Sequence, residues 1–463
     1  MSAGAAFVRT GDEIVIADPR DGSIVGGVPA ADAEEVRATV ARAREAFPSW
    51  RATPAAARGQ ALRRAAHALA ARASEVADLE QRENGRLRSD VEGGIGAAVD
   101  TLLQYSEYGP LHRGRSLRGG ADALDLTRAE PRGVVAVVTP WNDPVAVAIG
   151  LIGAAIATGN TVVHKPSERC PHLGLLIGEI LAAELPDGVL CTVSGHAQTG
   201  EALVSCPDVD MVAHVGSTAA GERIARAVAL TGAHLIRENG GNDALIVDAG
   251  VDPIWAAGQA ALGSFANSGQ ICTSVERIFV HRDIADEFLT ALVAEAESRN
   301  ASNALAPLVD ERMRAEVDAQ VTASVAQGAR ALVGGSIPDG PGCHYPATVL
   351  VDCTPAVPVF QKETFGPVAP IMIVDDFDEA VRLAAHDEHG LAASVLTADI
   401  GHANRAIDAL PVGTVKVNAV FGGAPGGSAE PRGRSGSGFG YGPELLDEMT
   451  TVKVVHLSPA VTR

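Results

Sequence analysis

Hydrophobic and charged residues alternate at helical spacing through the N-terminal part of the chain. Between residues 31 and 108, alanine, leucine and valine recur every three or four positions among arginines and glutamates. An apolar stripe of this period is typical of amphipathic helices that bury one face. The pattern predicts three such helices, and no candidate for chemistry stands out among them.

The pattern changes at Val134 to short runs of β-branched residues, each followed by a turn and a helical segment. Strands that alternate with helices in this way form βαβ units and a parallel sheet, which is the architecture of many nucleotide-binding domains. The predicted strands are Val134–Val138, Thr161–His164, Val189–Val193 and Met211–Val215.

A second alternating series begins after Gly240 and predicts a second α/β domain. Its predicted strands are Val275–His281, Arg330–Val333, Ile371–Val374, Leu391–Thr397 and Val415–Asn418.

Two tracts fit neither pattern. The polar tract His112–Arg132 precedes the first parallel strand, and the glycine-rich tract Gly422–Gly442 precedes the alternating segment Thr451–Val455. Protruding strands that pair with another subunit would explain both tracts. A flexible loop and an ordinary tail explain them equally well from the local sequence alone.

Composition and charge narrow the classes of function. The chain has 463 residues, 46% of them hydrophobic, and a net charge of −20, which excludes a disordered chain and argues against a nucleic-acid partner. The longest apolar stretch, Val145–Ala157, is shorter than the roughly 20 residues of a membrane-spanning helix. The N-terminus lacks the pattern of a secretory signal, so we expect a cytoplasmic protein without a membrane partner.

The cysteines are too few and too scattered for a disulfide framework, and no Cys-x-x-Cys pair predicts a metal site. Most free cysteines are packed thiols. Cys272, in the segment Phe265–Thr273, is the candidate for chemistry because Glu238 lies upstream beside a glycine pair. A thiol and a carboxylate base, with a bound dinucleotide, are what oxidation through a thioester requires.

Two segments are candidates for the dinucleotide site. Val215–Gly221 contains Gly216 and Ser217 where a strand gives way to a helix, and the free N–H groups of such a helix bind phosphate. The segment lacks both the P-loop lysine and the third glycine of the dinucleotide fingerprint, so a plain turn stays an alternative. Lys165–Glu168 follows another predicted strand, at the edge where open α/β sheets bind ligands, although a helix-capping turn explains it equally well.

Seven motifs, in their order and spacing, make the chain similar to the aldehyde dehydrogenase superfamily from about residue 15 to the C-terminus. They are Pro140-Trp141-Asn142, Lys165-Pro166-Ser167-Glu168, Gly216-Ser217-Thr218, Glu238-x-Gly240-Gly241, Gly269-Gln270-x-Cys272, Glu363-Thr364-Phe365-Gly366-Pro367 and Ser435-Gly436-x-Gly438.

The resemblance implies an α/β fold with three parts. A Rossmann-like coenzyme-binding domain takes residues 1–111 and 132–239, and a catalytic domain takes residues 240–437. Residues 112–131 and 438–463 form a protruding β oligomerisation element, which implies a homodimer or homotetramer.

The resemblance also assigns roles to single residues. Cys272 is the nucleophile, Glu238 the general base and Asn142 a donor to the oxyanion. The remaining residues bind the cofactor: Lys165 and Glu168 at the adenosine ribose, Ser217 and Trp141 at the pyrophosphate, Glu363 at the nicotinamide ribose, Phe365 near the ring, together with Ser167, Gly216 and Gly240.

The expected activity is therefore NAD-dependent oxidation of a small-molecule aldehyde to its acid, through a thioester that is hydrolysed by water activated by Glu238. A carboxylate at residue 168 would repel a 2′-phosphate, which favours NAD and leaves NADP as the second choice. Two other readings remain: acyl transfer to coenzyme A or ester hydrolysis by the same cysteine, and a catalytically silent binding or structural protein.

Four features depart from the family pattern. Asn239 and Asn242 replace leucine and lysine around the glycine pair, and Asp143 replaces an aromatic residue. Asp143 argues against long apolar or strongly anionic substrates, unless it simply faces solvent at the start of a helix. The segment Pro431–Ser435 replaces a more familiar glycine pair and lysine, so subunit contacts there can differ.

Overall fold

The computed structural model describes residues 13–302, 304–423 and 427–461. The N-terminal part forms a two-stranded antiparallel sheet and a group of helices. Its elements are β1 (Glu13–Ala17), β2 (Ile24–Pro29), α1 (Ala33–Ala52), α2 (Ala55–Ala71), α3 (Ala73–Asn84) and α4 (Arg88–Leu111).

The prediction of three helices in this part was wrong, because there are four. Pro54 is the N-cap residue of α2 and marks the break between α1 and α2. Gly85, in a left-handed conformation, ends α3. Only Arg72 separates α2 from α3. The apolar period therefore runs across that junction without a glycine or proline to mark it.

The next part alternates strands and helices. Its elements are β3 (Ser116–Leu117), β4 (Leu124–Pro131), β5 (Val134–Val138), α5 (Pro144–Thr158), β6 (Thr161–Lys165), α6 (Pro171–Ala182), β7 (Leu190–Thr192), α7 (Ala197–Val204), β8 (Met211–Val215), α8 (Thr218–Thr231) and β9 (His234–Glu238).

The remaining part alternates in the same way and ends in a long strand. Its elements are β10 (Asp243–Val247), α9 (Pro253–Phe265), β11 (Val275–His281), α10 (Ala285–Ala301), α11 (Glu311–Ala326), β12 (Arg330–Val333), β13 (Thr348–Val351), α12 (Pro358–Gln361), β14 (Val368–Val374), α13 (Phe377–Ala384), β15 (His389–Gly390), β16 (Ala392–Leu396), α14 (Ile400–Ala409), β17 (Thr414–Val417), β18 (Arg432–Gly433), β19 (Gly436–Ser437), α15 (Glu444–Glu448) and β20 (Thr450–Leu457).

Two mixed sheets carry the fold and confirm the predicted α/β class. The first has the order β19-β9-β8-β5-β6-β7, and only β19 runs antiparallel to its neighbour. After β5, the chain adds β6 and β7 on one side and then returns to add β8 and β9 on the other side. The strand order therefore reverses beside β5. In open α/β sheets, ligands bind at the carboxyl ends of the strands next to such a reversal.

The second sheet has the order β12-β13-β14-β11-β10-β16-β17, parallel except for the β12–β13 pair. All five predicted strands of this part are present, with ends shifted by up to three residues. Sequence analysis missed β10 and β13, which are fully buried runs of four or five residues without a polar alternation to reveal them.

The polar tract and the C-terminal alternating segment, which fit neither pattern, pair with each other within the chain. β4 and β20 form an antiparallel ladder from Leu124–Leu457 to Pro131–Thr450, and β3 adds to the other edge of β4. The glycine-rich tract forms only the short strands β18 and β19, and its residues 424–426 lie outside the described residues.

The chain just before β20 packs with the first sheet. Leu445, Leu446 and Met449 belong to the same buried core as Val135 of β5 and Ile149 of α5. Sequence analysis had placed residues 438–463 in the protruding element. Among the described helices, none combines the length and apolar character that crossing a membrane requires.

Replacing Leu445 by alanine tests this packing. Leu445 is fully buried, so we expect Leu445→Ala to lower the free energy of unfolding in urea by about 2–5 kcal/mol. Leu230, which is 91% exposed, gives the control variant Leu230→Ala, with an expected change below about 0.5 kcal/mol. Equal effects of the two variants would contradict the placement of α15 in the core.

Candidate active site

The loop that carries Cys272 connects α9 to β11 through a tight turn. Asn267, Ser268 and Gly269 have left-handed backbone conformations, with φ of 47°, 55° and 73°. A Cβ at Gly269 would lie 2.0 Å from the carbonyl oxygen of Gly366. Only glycine fits there, and the contact fixes the cysteine loop against the segment that carries Glu363.

Side-chain hydrogen bonds hold this loop in place. Gln270 is buried, donates from Nε2 to the carbonyl oxygens of Asn267 and Pro307 at 3.0 and 3.2 Å, and accepts the N–H of Val309. Asn142 donates from Nδ2 to the Gln270 carbonyl oxygen at 3.1 Å. The amide at the end of β5 therefore lies against the cysteine loop, and its second N–H has no partner among the described residues.

Exposure separates Cys272 from the other cysteines. All six cysteines lie in the described part of the chain, and five of them are buried, whereas Cys272 is partly exposed. Burial and then the negative charges of Glu238, Asp243, Glu363 and Asp143, in that order, raise the pKa of the Cys272 thiol to about 12. The thiol is therefore protonated at neutral pH until a base or a nearby cation assists its ionisation.

Glu238 is the last residue of β9, and its charge raises the pKa of Cys272 more than that of any other carboxylate. Its Oε1 accepts the N–H of Gly440 at 3.1 Å. Burial raises the pKa of the Glu238 carboxyl to about 7, which the hydrogen bond from Gly440 lowers in part. A carboxyl with a pKa near neutrality can both accept and return a proton at physiological pH.

A glycine pair brings the remaining groups together. A Cβ at Gly240 would lie 2.1 Å from the Glu363 carboxylate, and a Cβ at Gly241 would lie 2.7 Å from the carbonyl oxygen of Cys272. The Gly241 N–H also donates to Glu363 Oε1 at 3.1 Å. Cys272, Glu238 and Glu363 therefore meet where the chain passes from the first sheet to the second.

Glu276 is a functional candidate that sequence analysis missed. This buried carboxylate on β11 accepts the N–H groups of Thr364 and Phe365 at 3.0 Å each, and burial raises its pKa to about 7. It fixes the turn that presents Glu363. An acidic residue inside the apolar run of β11, four residues after Cys272, was the available signal.

Gly440 was also missed, because it lay in the tract assigned to oligomerisation. A Cβ there would lie 2.2 Å from the Glu238 carboxyl carbon. Nothing in a glycine-rich tail identifies which glycine will contact a distant carboxylate.

Six of the nine candidate coenzyme residues lie at the carboxyl ends of β5, β6 and β8, namely Trp141, Lys165, Ser167, Glu168, Gly216 and Ser217. Lys165 is buried, donates from Nζ to the Pro166 carbonyl oxygen at 2.8 Å, and has its pKa lowered by burial. The negative charge of Glu168 acts on the same ammonium. Ser167 is buried, and its Oγ accepts the N–H of Arg169 at 3.2 Å.

The turn between β8 and α8 leaves polar groups free. Gly216 donates its N–H to the Glu238 carbonyl oxygen at 3.0 Å, and Ser217 caps α8 by accepting the Ala220 N–H at 3.3 Å. Thr218 Oγ1 is buried and has no partner among the described residues. An unpaired hydroxyl at the N-terminus of a helix, on the same sheet edge as a buried ammonium with one acceptor, fits a bound dinucleotide.

Trp141 and Phe365 face each other between the two sheets. Their rings meet edge to face at 5.6 Å, and the Arg169 guanidinium lies 5.1 Å from the Trp141 ring. Trp141 packs against the cores of both halves. The pair closes the gap between the two sheets beside Asn142.

The residues that depart from the family pattern are engaged in structure. Asn239 donates to the Arg434 carbonyl oxygen at 2.7 Å, and Asn242 donates to Asp387 Oδ2 at 2.7 Å. Asp143 does not simply face solvent, because its Oδ1 accepts from Arg86 Nη1 at 2.9 Å. Within the described residues, no group of three or more histidine, cysteine, aspartate or glutamate side chains is arranged to hold a metal ion.

Fold and site together define a class of enzyme. An α/β chain with a ligand edge on one sheet, and a partly exposed thiol beside a carboxyl of pKa about 7, is equipped for covalent oxidation with a dinucleotide.

Comparisons with known proteins agree with this class. The model of the aldehyde dehydrogenase family matches residues 7–455. The benzaldehyde dehydrogenase (NAD⁺) of Pseudomonas putida is 34% identical over 454 residues, covering 94% of this chain and 91% of the relative. The 3,6-anhydro-alpha-L-galactose dehydrogenase of Streptomyces coelicolor is 35% identical over 487 residues, covering 99% and 97%.

A solved structure gives the same result. The crystal structure of PnpE in complex with nicotinamide adenine dinucleotide superposes with a TM-score of 0.94 at 31% identity, covering 98% of this chain and 95% of that one. The chain belongs to the aldehyde dehydrogenase family. The family resemblance and the fold class inferred from the sequence are confirmed.

Substituting Gly440 tests whether its backbone sets the position of Glu238. The Cβ of Gly440→Ala would overlap the Glu238 carboxyl, so we expect at least about a tenfold loss of aldehyde-dependent turnover with NAD. Gly258 in α9 has no atom within 4 Å of an added Cβ, and Gly258→Ala should keep full turnover. Full turnover in Gly440→Ala would contradict the contact.

Proposed function

We propose that the protein oxidises aldehydes to carboxylic acids with a nicotinamide dinucleotide, through a thioester on Cys272 that water hydrolyses. One observation carries the proposal most directly. The single partly exposed cysteine lies beside a carboxyl of pKa about 7, at the edge where the first sheet presents its dinucleotide candidates.

In the first step, the Cys272 thiolate adds to the carbonyl carbon of the aldehyde. The resulting oxyanion accepts from the free N–H of Asn142 and from the Cys272 backbone N–H. Loss of one such donor typically costs about 3–4 kcal/mol of barrier. Because the resting thiol has a pKa of about 12, its proton must pass to solvent as the nucleophile forms, which leaves Glu238 ionised for the hydrolytic step.

The coenzyme residues proposed from the sequence would act as follows. Lys165 and Glu168 would hold the adenosine ribose, and Glu363 would hold the nicotinamide ribose, with Phe365 near the ring. Ser217 and Trp141 would flank the pyrophosphate, Ser167 and Gly216 lie in the turns after β6 and β8, and Gly240 gives Glu363 room to approach. When bound, the nicotinamide supplies the acceptor for the hydride that the aldehyde carbon loses.

In the last step, Glu238 takes a proton from water, and the hydroxide attacks the thioester carbon. The tetrahedral adduct collapses to the carboxylic acid and releases the Cys272 sulfur. A carboxyl held near pKa 7 by burial is a strong enough base for this and is substantially ionised at neutral pH.

Two substitutions separate the roles of the thiol and the base. Cys272→Ala should abolish coenzyme reduction, whereas Cys206→Ala, at a buried cysteine, should not. Glu238→Gln should keep a rapid first burst of reduced coenzyme, measured by stopped-flow absorbance, and then turn over at least about a hundredfold more slowly. Undiminished steady turnover in Glu238→Gln would overturn the base assignment.

Three assays of the wild-type protein distinguish the rival activities. An acyl-transferring enzyme would form an acyl-coenzyme A product when coenzyme A is added, and an esterase would act without dinucleotide. A silent binding protein would bind dinucleotide and reduce none with any aldehyde. Hydrolysis is favoured here because Glu238 is present as a base beside the thiol.

Hydrolysis should also depend on pH in a defined direction. The pKa of Glu238 is raised to about 7, and the base acts in its ionised form. The rate of thioester hydrolysis should therefore be low below pH 6 and rise through about pH 7 to a plateau. We expect the Glu238→Gln variant to lose this rise in single-turnover measurements of acid release, and a wild-type rate that stays flat from pH 5 to 9 would count against the assignment.

The choice between the two coenzymes depends on Glu168. Its carboxylate should repel a 2′-phosphate, so we expect a higher kcat/KM with NAD than with NADP. Glu168→Gln removes the charge at nearly constant size and should shift the ratio of the two kcat/KM values toward NADP by about tenfold or more. An unchanged ratio would show that Glu168 does not contact that ribose.

Domain division, assembly and location follow the same proposal. Residues 1–111 and 132–239 bind the coenzyme, and residues 240–437 carry the nucleophile. The β3-β4-β20 sheet exposes Val452 and Val454 on its edge strand, which supports a homodimer or homotetramer built on that edge. Six unpaired cysteines agree with a reducing cytoplasm.

A further inference from the structure

The Asp143 side chain lies at the start of α5 but does not cap that helix. Asp143 follows Asn142 directly and is the N-cap residue of α5, yet its side chain makes no capping hydrogen bond. Its Oδ1 accepts from Arg86 instead, and the side chain is 39% exposed. Its negative charge helps to raise the pKa of the Cys272 thiol, after the larger effects of burial and three other carboxylates.

Arg86 binds Asp143 but also binds a second carboxylate, so its positive charge is shared between the two. The guanidinium is buried, and its Nη1 is shared between Glu80 Oε1 at 2.7 Å and Asp143 Oδ1 at 2.9 Å. The Arg86 Nε and the Glu80 Oε2 are buried without a partner among the described residues. One arginine thus faces two carboxylates, and Asp143 Oδ2 has no partner within the described part of the chain.

A residue without a side chain faces the Asp143 carboxylate. Gly94 of α4 faces it, and a Cβ at that residue would lie 3.1 Å from Asp143 Oδ1. The missing side chain at residue 94 leaves the Asp143 carboxylate partly exposed at the start of α5.

We propose that Asp143, positioned by Arg86, selects aldehydes that carry a hydroxyl or ammonium group on the carbon next to the aldehyde. This inference rests on the proposed oxidation by Cys272. A hydrocarbon substituent would strip water from the carboxylate without replacing its hydrogen bonds. A carboxylate substituent would be repelled, whereas a donor group would bind the free oxygen of Asp143.

A matched set of small aldehydes tests the inference. Propionaldehyde, glycolaldehyde, aminoacetaldehyde and malonate semialdehyde carry a methyl, hydroxyl, protonated amino or carboxylate group, respectively, on the carbon next to the aldehyde. In the wild-type protein with NAD, we expect kcat/KM for the hydroxyl and ammonium aldehydes to exceed that for propionaldehyde by about tenfold or more. Malonate semialdehyde should be the poorest substrate.

Substitution at residue 143 should change the ranking and leave the chemistry intact. Asp143→Asn should lower kcat/KM for aminoacetaldehyde about tenfold more than for propionaldehyde, mostly through KM, and Asp143→Ala should remove the preference for both donor aldehydes. The control Asp100→Asn removes the same charge from an exposed site on α4 and should leave every ratio unchanged.

The failures are distinguishable. A wild-type preference for propionaldehyde overturns the inference without any variant, as do ratios that stay constant in Asp143→Asn. Wild-type protein that reduces no coenzyme with any aldehyde overturns the proposed function itself. A hydroxyl preference without an ammonium preference would assign Asp143 to neutral sugar-like aldehydes and support the inference in that narrower form.

Discussion

The close approach at Gly240 and Gly241 is the constraint on which the rest of the site depends. Here the chain leaves the last parallel strand of the first sheet and enters the second, and neither residue has space for a Cβ. The Glu363 carboxylate lies where one side chain would be, and the Cys272 carbonyl oxygen where the other would be. A larger residue would push apart the thiol, the base and the candidate ribose ligand together.

The electrostatics of the site follow from the same crowding. Carboxyl groups at residues 238, 276 and 363 lie in a poorly hydrated space, and burial raises their pKa values to about 7, 7 and 8. The charges of Glu238 and Glu363 in turn oppose ionisation of Cys272. A protonated thiol is less readily oxidised than a thiolate, so the raised pKa of Cys272 makes this partly exposed cysteine less reactive in the resting protein.

Much of this arrangement was predictable from the sequence, and the reasons for the failures are physical. The β-branched runs gave the parallel strands because buried strands leave a strong local pattern. The short buried strands β10 and β13, the junction at Arg72 and the contact of Gly440 with Glu238 leave none. The two tracts that fit neither pattern left a strand and a loop equally open, and their pairing within the chain as β4 and β20 was not predicted, because sequence alternation does not identify the partner of a strand. Asp143 was identified as unusual, but its ion pair with Arg86 was not predicted, because no local sequence pattern connects the two residues.

The most direct test of the account is the location of the covalent intermediate. Glu238→Gln protein mixed with excess aldehyde and NAD, quenched in acid within seconds and digested, should give one acylated peptide by mass spectrometry. The account predicts the acyl mass on the peptide that contains Cys272, and a free thiol there when NAD is omitted. Acylation of another cysteine, or reduced coenzyme formed without any acylated peptide, would contradict the meeting of thiol, base and coenzyme at one point.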